Sequence, residues 1–263
     1  MFNIIRSQNY TLRRDMVVWI VFISLIAIPF LIPKYMPELG AEGLTVSAFF
    51  ATQAMSMYFV FIYICSLIFS CKAVASDAGD KTINYEFLAG HDRDRIFGGR
   101  MLTAFLWGVV ILWLFSLFPV LIYDLIYGWG RETDRLELLI RLTMTLFPMI
   151  RICAFNVLLA SLLRSAGKGI AISYAMLMVI SIFMSVMQEF KQKAFILEFG
   201  FTNMLWLITP GNHRNVVIDG KSITLFDTAL STDMTVKTII VSLIFACVYI
   251  LLARAEFKRR DRD

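Results

Sequence analysis

Side chains able to do chemistry are few in this chain, and they are scattered. His91 and His213 have no histidine or cysteine close by, so neither begins a metal site. Cys65, Cys71, Cys153 and Cys247 all fall in or at the ends of apolar runs, with no spaced pairs in polar loops. Such thiols are small packing residues rather than disulfides or metal ligands. The sequence holds no G-x-x-x-x-G-K-[ST] loop to cradle a nucleotide, and no H-E-x-x-H or G-x-S-x-G to build a zinc or serine centre. The Gly98-Gly99 pair is too brief for a phosphate cradle and suits close packing at the root of a helix. An enzyme buried in apolar helices would need clustered Asp, His or Ser, and no such cluster is seen. The chain is therefore expected to catalyse nothing itself.

What remains is charge in unusual places. Arg151 stands inside an apolar run, flanked by Met149, Ile150 and Ile152, where an uncompensated cation is costly. Two readings follow. It either braces the fold by snorkelling or meeting a carboxylate, or it faces a pathway and meets acidic or polar cargo. Glu137 and Arg141, four apart on one helix face, read as a structural ion pair. The densest charge lies between Ser76 and Arg100, in a stretch reading SDAGDKTINYEFLAGHDRDRIFGGR.

The elements that carry these residues are set by composition. With 59% hydrophobic residues, 17% charged and a mean hydropathy of +0.72, too few charges exist to coat a soluble surface. The apolar excess is gathered into long runs, and a run of about 20 residues crosses the hydrocarbon of a bilayer as a helix. Six such runs occur, near Met16–Ile32, Val46–Cys71, Met101–Tyr123, Leu136–Leu163, Ile170–Met187 and Val236–Ala253. The first follows Arg6, Arg13 and Arg14 and is not trailed by a small-residue cleavage site, so it reads as a span rather than a cleaved signal.

Lys and Arg placement orients the bundle. With the N-terminus inside, fifteen of them fall on the inner side and eight on the outer, which predicts cytoplasmic termini at both ends. The expected protein is an all-α membrane protein of six transmembrane helices. It divides into an amphipathic N-terminal segment at 1–15, a transmembrane domain at 16–254 and a basic tail at 255–263. Basic clusters beside spans read as inner-leaflet anchors, which points to membrane lipids as partners and away from nucleic acid.

Two outer stretches stand out. Residues 124–135 are short and charged. Residues 188–235 contain Ala194–Ile208, too short to cross yet too apolar for open water, which predicts a re-entrant or interfacial helix. Asp219-Gly220 then separates two β-prone stretches, a hairpin signal.

The inner stretch at 72–100 predicts a helical elbow. Ile83 and Phe87 at i, i+4 give a short helix one apolar face, Gly90 suits its C-terminal cap, and Asp92 suits the N-cap of a second helix that runs into the third span. Charge in such a loop keeps it solvated. Its length and its capped helices suggest a docking surface as well.

These residues resemble the first cytoplasmic loop of ABC-2 type permeases. That pattern runs from an acidic residue, through Gly-Thr-hydrophobic and a Leu-Leu-Ser-like stretch, to Ser-Arg-x-x-Ile-x-x-x-Lys. Here it maps onto Asp77, Thr82-Ile83, Leu88-Ala89-Gly90 and Arg93-x-x-Ile96-x-x-x-Arg100, with Asp for Glu, Lys81 for Gly and Arg100 for Lys. Phe257-Lys258-Arg259-Arg260-Asp261 is similar to the family's closing Phe-x-Arg-Arg-Asp.

The resemblance implies the permease subunit of an ATP-binding-cassette exporter in a bacterial cytoplasmic membrane. The elbow would be a coupling helix seated in a separate ATPase, which carries the ATP and magnesium. The substrate pathway would form with a second copy or a related permease. It also implies ATPase-coupling roles for Asp77, Thr82, Ile83, Glu86, Phe87, Arg93, Arg95 and Arg100. Its likeness to lantibiotic and bacitracin immunity permeases makes an antimicrobial or other amphipathic peptide the expected cargo. The alternative is a scaffold or sensor that docks an ATPase and moves nothing.

Overall fold

The structure, a computed structural model, describes residues 2–35, 45–51, 53–79, 90, 92–130, 134–189, 213–218, 221–226, 230 and 232–259. Helices lie over all six apolar runs. In chain order they are α1 (Phe2–Arg14), α2 (Met16–Tyr35), α3 (Val46–Ala51), α4 (Gln53–Gly79), α5 (Arg93–Phe105), α6 (Leu112–Tyr127), α7 (Arg135–Met144), α8 (Leu146–Leu163), α9 (Ala166–Glu189) and α10 (Thr232–Arg259). A π-helical segment, Leu106–Ile111, joins α5 to α6 without a break.

Among the described residues, four stretches are long and apolar enough to cross a membrane: Tyr58–Ala75, Arg93–Tyr127, Arg135–Leu163 and Thr235–Arg259. The pair α1 and α2, bent by 67°, brings the number up to five if it counts as one span. The apolar stretch Ala166–Ile180 of α9 is shorter than a full crossing. Helical segments therefore cover all six expected runs, and among the described residues four, or five with the bent pair, are long and apolar enough to cross.

The bend between α1 and α2 is made by Asp15. Its carboxylate accepts the backbone N–H of Val17 at 2.9 Å and so caps the start of α2. The same carboxylate is paired with Lys72 of α4. α1 is amphipathic in the plain sense: Ile4, Gln8 and Leu12 form a buried stripe, and Arg6, Arg13 and Arg14 stay exposed.

Proline placement governs the half of the bundle remote from the elbow. A proline in a helix lacks the N–H that would bond the carbonyl four residues earlier, and lipid offers no substitute donor. Pro29 frees the carbonyl of Leu25, Pro33 that of Pro29, and Pro119 that of Phe115. The buried Tyr58 hydroxyl of α4 lies 3.2 Å from the Leu25 oxygen and 3.2 Å from the Phe115 oxygen. With one proton to give, it is shared between the two. The buried Tyr123 hydroxyl of α6 donates to the Pro29 carbonyl. Two tyrosines thus join α2, α4 and α6 at the points where the helices are chemically incomplete.

Small residues govern the middle. The Ser66 hydroxyl donates to the Gly108 carbonyl at 2.7 Å, within the π-helical segment. A Cβ on Gly108 would come within 2.7 Å of the Ser70 oxygen, so only glycine lets α4 approach this closely. Gly169 of α9 lies against Cys71, and Cys153 of α8 receives a hydrogen bond from Ser70 at 3.2 Å. All four cysteines are free, and only Cys247 is exposed.

At the end remote from the elbow, the first amides of α3 are capped from the 124–135 stretch. Val46 N–H bonds the Gly128 carbonyl at 3.2 Å and Ser47 N–H bonds that of Trp129 at 2.9 Å. Arg141 pairs with Glu137 at 3.0 Å, and the Glu137 carboxylate also accepts the Leu230 N–H at 3.2 Å. Two strands, β1 (His213–Ile218) and β2 (Lys221–Phe226), pair antiparallel with Ile218 opposite Lys221, leaving Asp219-Gly220 as the two-residue connection. The expected re-entrant helix at Ala194–Ile208 lies outside the described residues.

Tyr58→Phe leaves one or both proline-freed carbonyls without a donor. The variant is expected to lose about 1–3 kcal/mol. Thermal unfolding in detergent checks this, with the exposed Tyr174→Phe as a control that should not shift.

Candidate coupling surface and candidate pathway residue

The charged elbow begins on a helix. α4 does not stop at Cys71 but continues to Gly79, because Ala73, Val74 and Ala75 are buried helix-compatible residues. Asp77 therefore sits on the last turns of α4 rather than in a loop. Thr82, Ile83, Glu86 and Phe87, with the short helix expected around them, lie outside the described residues. Gly90 has φ +77°, a left-handed conformation suited to the cap position expected there.

The second elbow helix is α5. Asp92 occupies its N-cap with an extended backbone (φ −69°, ψ 145°), and its carbonyl accepts the N–H groups of Arg95 and Ile96, both at 3.0 Å. The expected side-chain cap is not made. Asp94, in the first turn, supplies the negative charge that the helix start favours.

Spacing along α5 decides which residues can meet a partner. Arg93, Ile96, Phe97 and Arg100 fall on one face of a 3.6-residue helix, and that face points inward. Ile96 and Phe97 are buried, and Arg100 is only 1% exposed. The Arg100 guanidinium donates to the Val74 carbonyl of α4 at 3.1 Å. Arg100, expected in a coupling role, thus ties α5 to α4 within the subunit. Arg95, on the opposite face, is exposed. Arg93 stands at the edge and donates to the Lys258 carbonyl of α10 at 3.3 Å.

The start of α5 meets the end of α10 here, which no local pattern could disclose. Asp94 accepts hydrogen bonds from Arg254 Nε at 2.9 Å and from Lys258 Nζ at 2.7 Å, two cations one turn apart on α10. Phe97 packs on Phe257 with ring centroids 5.6 Å apart. α1 is attached to the π-helical segment that follows α5, where the Trp107 indole N–H donates to Asn9 at 2.6 Å. Polar and charged contacts thus tie α1, α4, α5 and α10 together at one end of the bundle.

Arg151, the candidate pathway residue, is 8% exposed and lies between α8 and α10. Its guanidinium sits 4.3 Å from the centroid of the Phe245 ring and is hydrogen-bonded to Tyr249, with Tyr63 of α4 also close. Phe155, one turn on, meets Tyr249 edge-to-face at 5.4 Å. An aromatic wall of α10 compensates the cation by its ring quadrupole and hydroxyl. The bracing role therefore has visible partners within the subunit.

Apolar helices of spanning length, a cluster of paired charges at one end and a helix running from that cluster into a span define an integral membrane protein. The chain belongs to the ABC-2 family transporter proteins, whose family pattern matches residues 2–262. Neither a curated protein nor a solved structure matches it. Family membership makes it a membrane permease of an ABC transporter and implies pairing with an ATP-binding-cassette ATPase.

The stacking of Arg151 is open to a double-mutant cycle with Arg151→Met and Phe245→Leu. A coupling energy of about 2 kcal/mol is expected for a desolvated cation–π pair. Additive effects in the unfolding measurement would show that the two side chains do not stabilise each other.

Proposed function

We propose that this chain is the permease subunit of an ATP-driven exporter in a bacterial cytoplasmic membrane, with six crossings and both termini inside. A separate ATPase, holding the ATP and magnesium, docks on the elbow. A second copy or a related permease completes the pathway, and the cargo is an amphipathic peptide of the antimicrobial kind.

The observation that carries this reading is the two-sided construction of α5. One face is buried and pinned to α4 through Arg100, while the other carries the exposed Arg95. From Arg93 to Tyr127 the helix continues without interruption into a stretch apolar enough to span. Force applied at Arg95 would reach the membrane along a rod, which suits a lever driven by a partner. Arg95 is the residue most directly available to that partner, Arg93 stands at its edge, and Asp77, Thr82, Ile83, Glu86 and Phe87 complete the proposed surface. Arg151 serves the pathway from behind, by holding α8 against α10.

The test is a pull-down in mild detergent from the native host. An ATPase is expected to copurify with the intact protein and with Arg100→Met, and to be lost from the Arg93→Glu/Arg95→Glu variant. If no ATPase comes down with the intact protein, the exporter reading is wrong. If it does, but the protein confers neither peptide resistance nor peptide efflux, the chain is a docking scaffold.

A further inference from the structure

The joint between α5 and α10 is made by Asp94, Phe97, Arg254, Phe257 and Lys258, and shares only Arg93 with the proposed ATPase surface. Asp94 spends both carboxylate oxygens on α10, one on Arg254 and one on Lys258. Because the two cations are one helical turn apart, a single carboxylate fixes the height of α10 against α5 as well as its distance. Arg93 to the Lys258 carbonyl and Phe97 against Phe257 add a third and fourth point of attachment. One exposed ion pair holds weakly, but four contacts within two turns resist sliding together. Further along, α10 lies along α8, with Phe245 over Arg151 and Tyr249 against Phe155.

The root of the lever therefore has two outlets. Along its own axis α5 enters the π-helical segment Leu106–Ile111, held through Ser66 and Gly108. Sideways, it is joined to α10. We propose that Asp94 is a positioning residue of the transport cycle: it transfers displacement of the elbow to α10, and through the Phe245–Arg151 contact to α8. This inference rests on the permease reading. A motor bound to the elbow would then move the last span as well as the third.

The experiment uses the full protein copurified with its ATPase in nanodiscs, in a Cys247→Ser background. The remaining cysteines are buried. Nitroxide labels at Lys168→Cys and Ala255→Cys report α10 against α9, and labels at Lys168→Cys and Leu102→Cys report α5 against α9. These sites are exposed, and none of them supplies a contact of the joint. Distances are measured without nucleotide and with ATP and vanadate.

In the native joint both pairs are expected to shift. In Asp94→Ala the α5 pair still shifts, while the α10 shift falls by at least half, and Asp94→Glu restores it. Arg254→Ala/Lys258→Ala reaches the same joint from the other helix and should reproduce Asp94→Ala, which covers the case of an ill-folded Asp94 variant. An α10 shift that survives both variants overturns the inference and leaves the permease reading standing. A wild-type complex in which α5 moves and α10 does not also overturns it. Failure of any ATPase to copurify overturns the permease reading, and the inference with it.

Discussion

A carbonyl oxygen deprived of its amide inside a membrane has to find a donor on another helix. Three prolines create that need here, and two tyrosine hydroxyls meet it. Pro29 and Pro33 leave two oxygens of α2 open, Pro119 leaves one on α6, and Tyr58 and Tyr123 reach all three. Because the hydroxyls come from α4 and α6, satisfying the backbone also fixes which helices are neighbours. The middle of the bundle then closes around α4 by removal of bulk. Ser66, Ser70 and Gly108 bring the π-helical segment close, while Cys71 and Cys153 fill the contacts with α9 and α8.

The elbow end is held by a different force. There water competes for the exposed charges, and isolated pairs contribute little. The structure answers with convergence. Lys72 holds Asp15 at the α1–α2 bend, Arg100 reaches the Val74 carbonyl from a buried position, and Asp94 gathers two cations of α10. The permease thus has a lipid-side half specified by backbone chemistry and an elbow-side half specified by side-chain charge. The docking surface of the proposed ATPase belongs to the second, which can be reshaped without disturbing the first.

Much of this was legible in the sequence, for identifiable reasons. Apolar runs of spanning length give helices wherever they occur, since only an internally bonded backbone survives in lipid. The Glu137–Arg141 pair and the Asp219-Gly220 connection are local, so spacing alone reveals them. The burial of Arg100 was present in the spacing too: an arginine seven residues after Arg93, with Ile96 and Phe97 between, marks one inward stripe. Its charge suggested a surface, and periodicity overruled it. The pairing of Asp94 with Arg254 and Lys258 joins residues far apart in the chain, and no periodicity connects them. Nor could composition foretell that Arg151 would lie over Phe245, because any of several aromatic residues would have served.

The π-helical segment changes how the helix around it is to be read. A π turn holds about one residue more than an α turn, and each α-helical residue advances the azimuth by about 100°. The side chains of α6 are therefore out of phase with those of α5, although the two form one continuous rod. A helical wheel drawn straight through Arg93–Tyr127 would assign half of it to the wrong face. Deleting a single residue between Leu106 and Ile111 would restore regular winding and turn the inward stripe of Ile96 and Arg100 away from the face on which Tyr123 reaches α2. The extra residue sets the angular offset by which one rod faces the charge cluster at its base and α2 at its top.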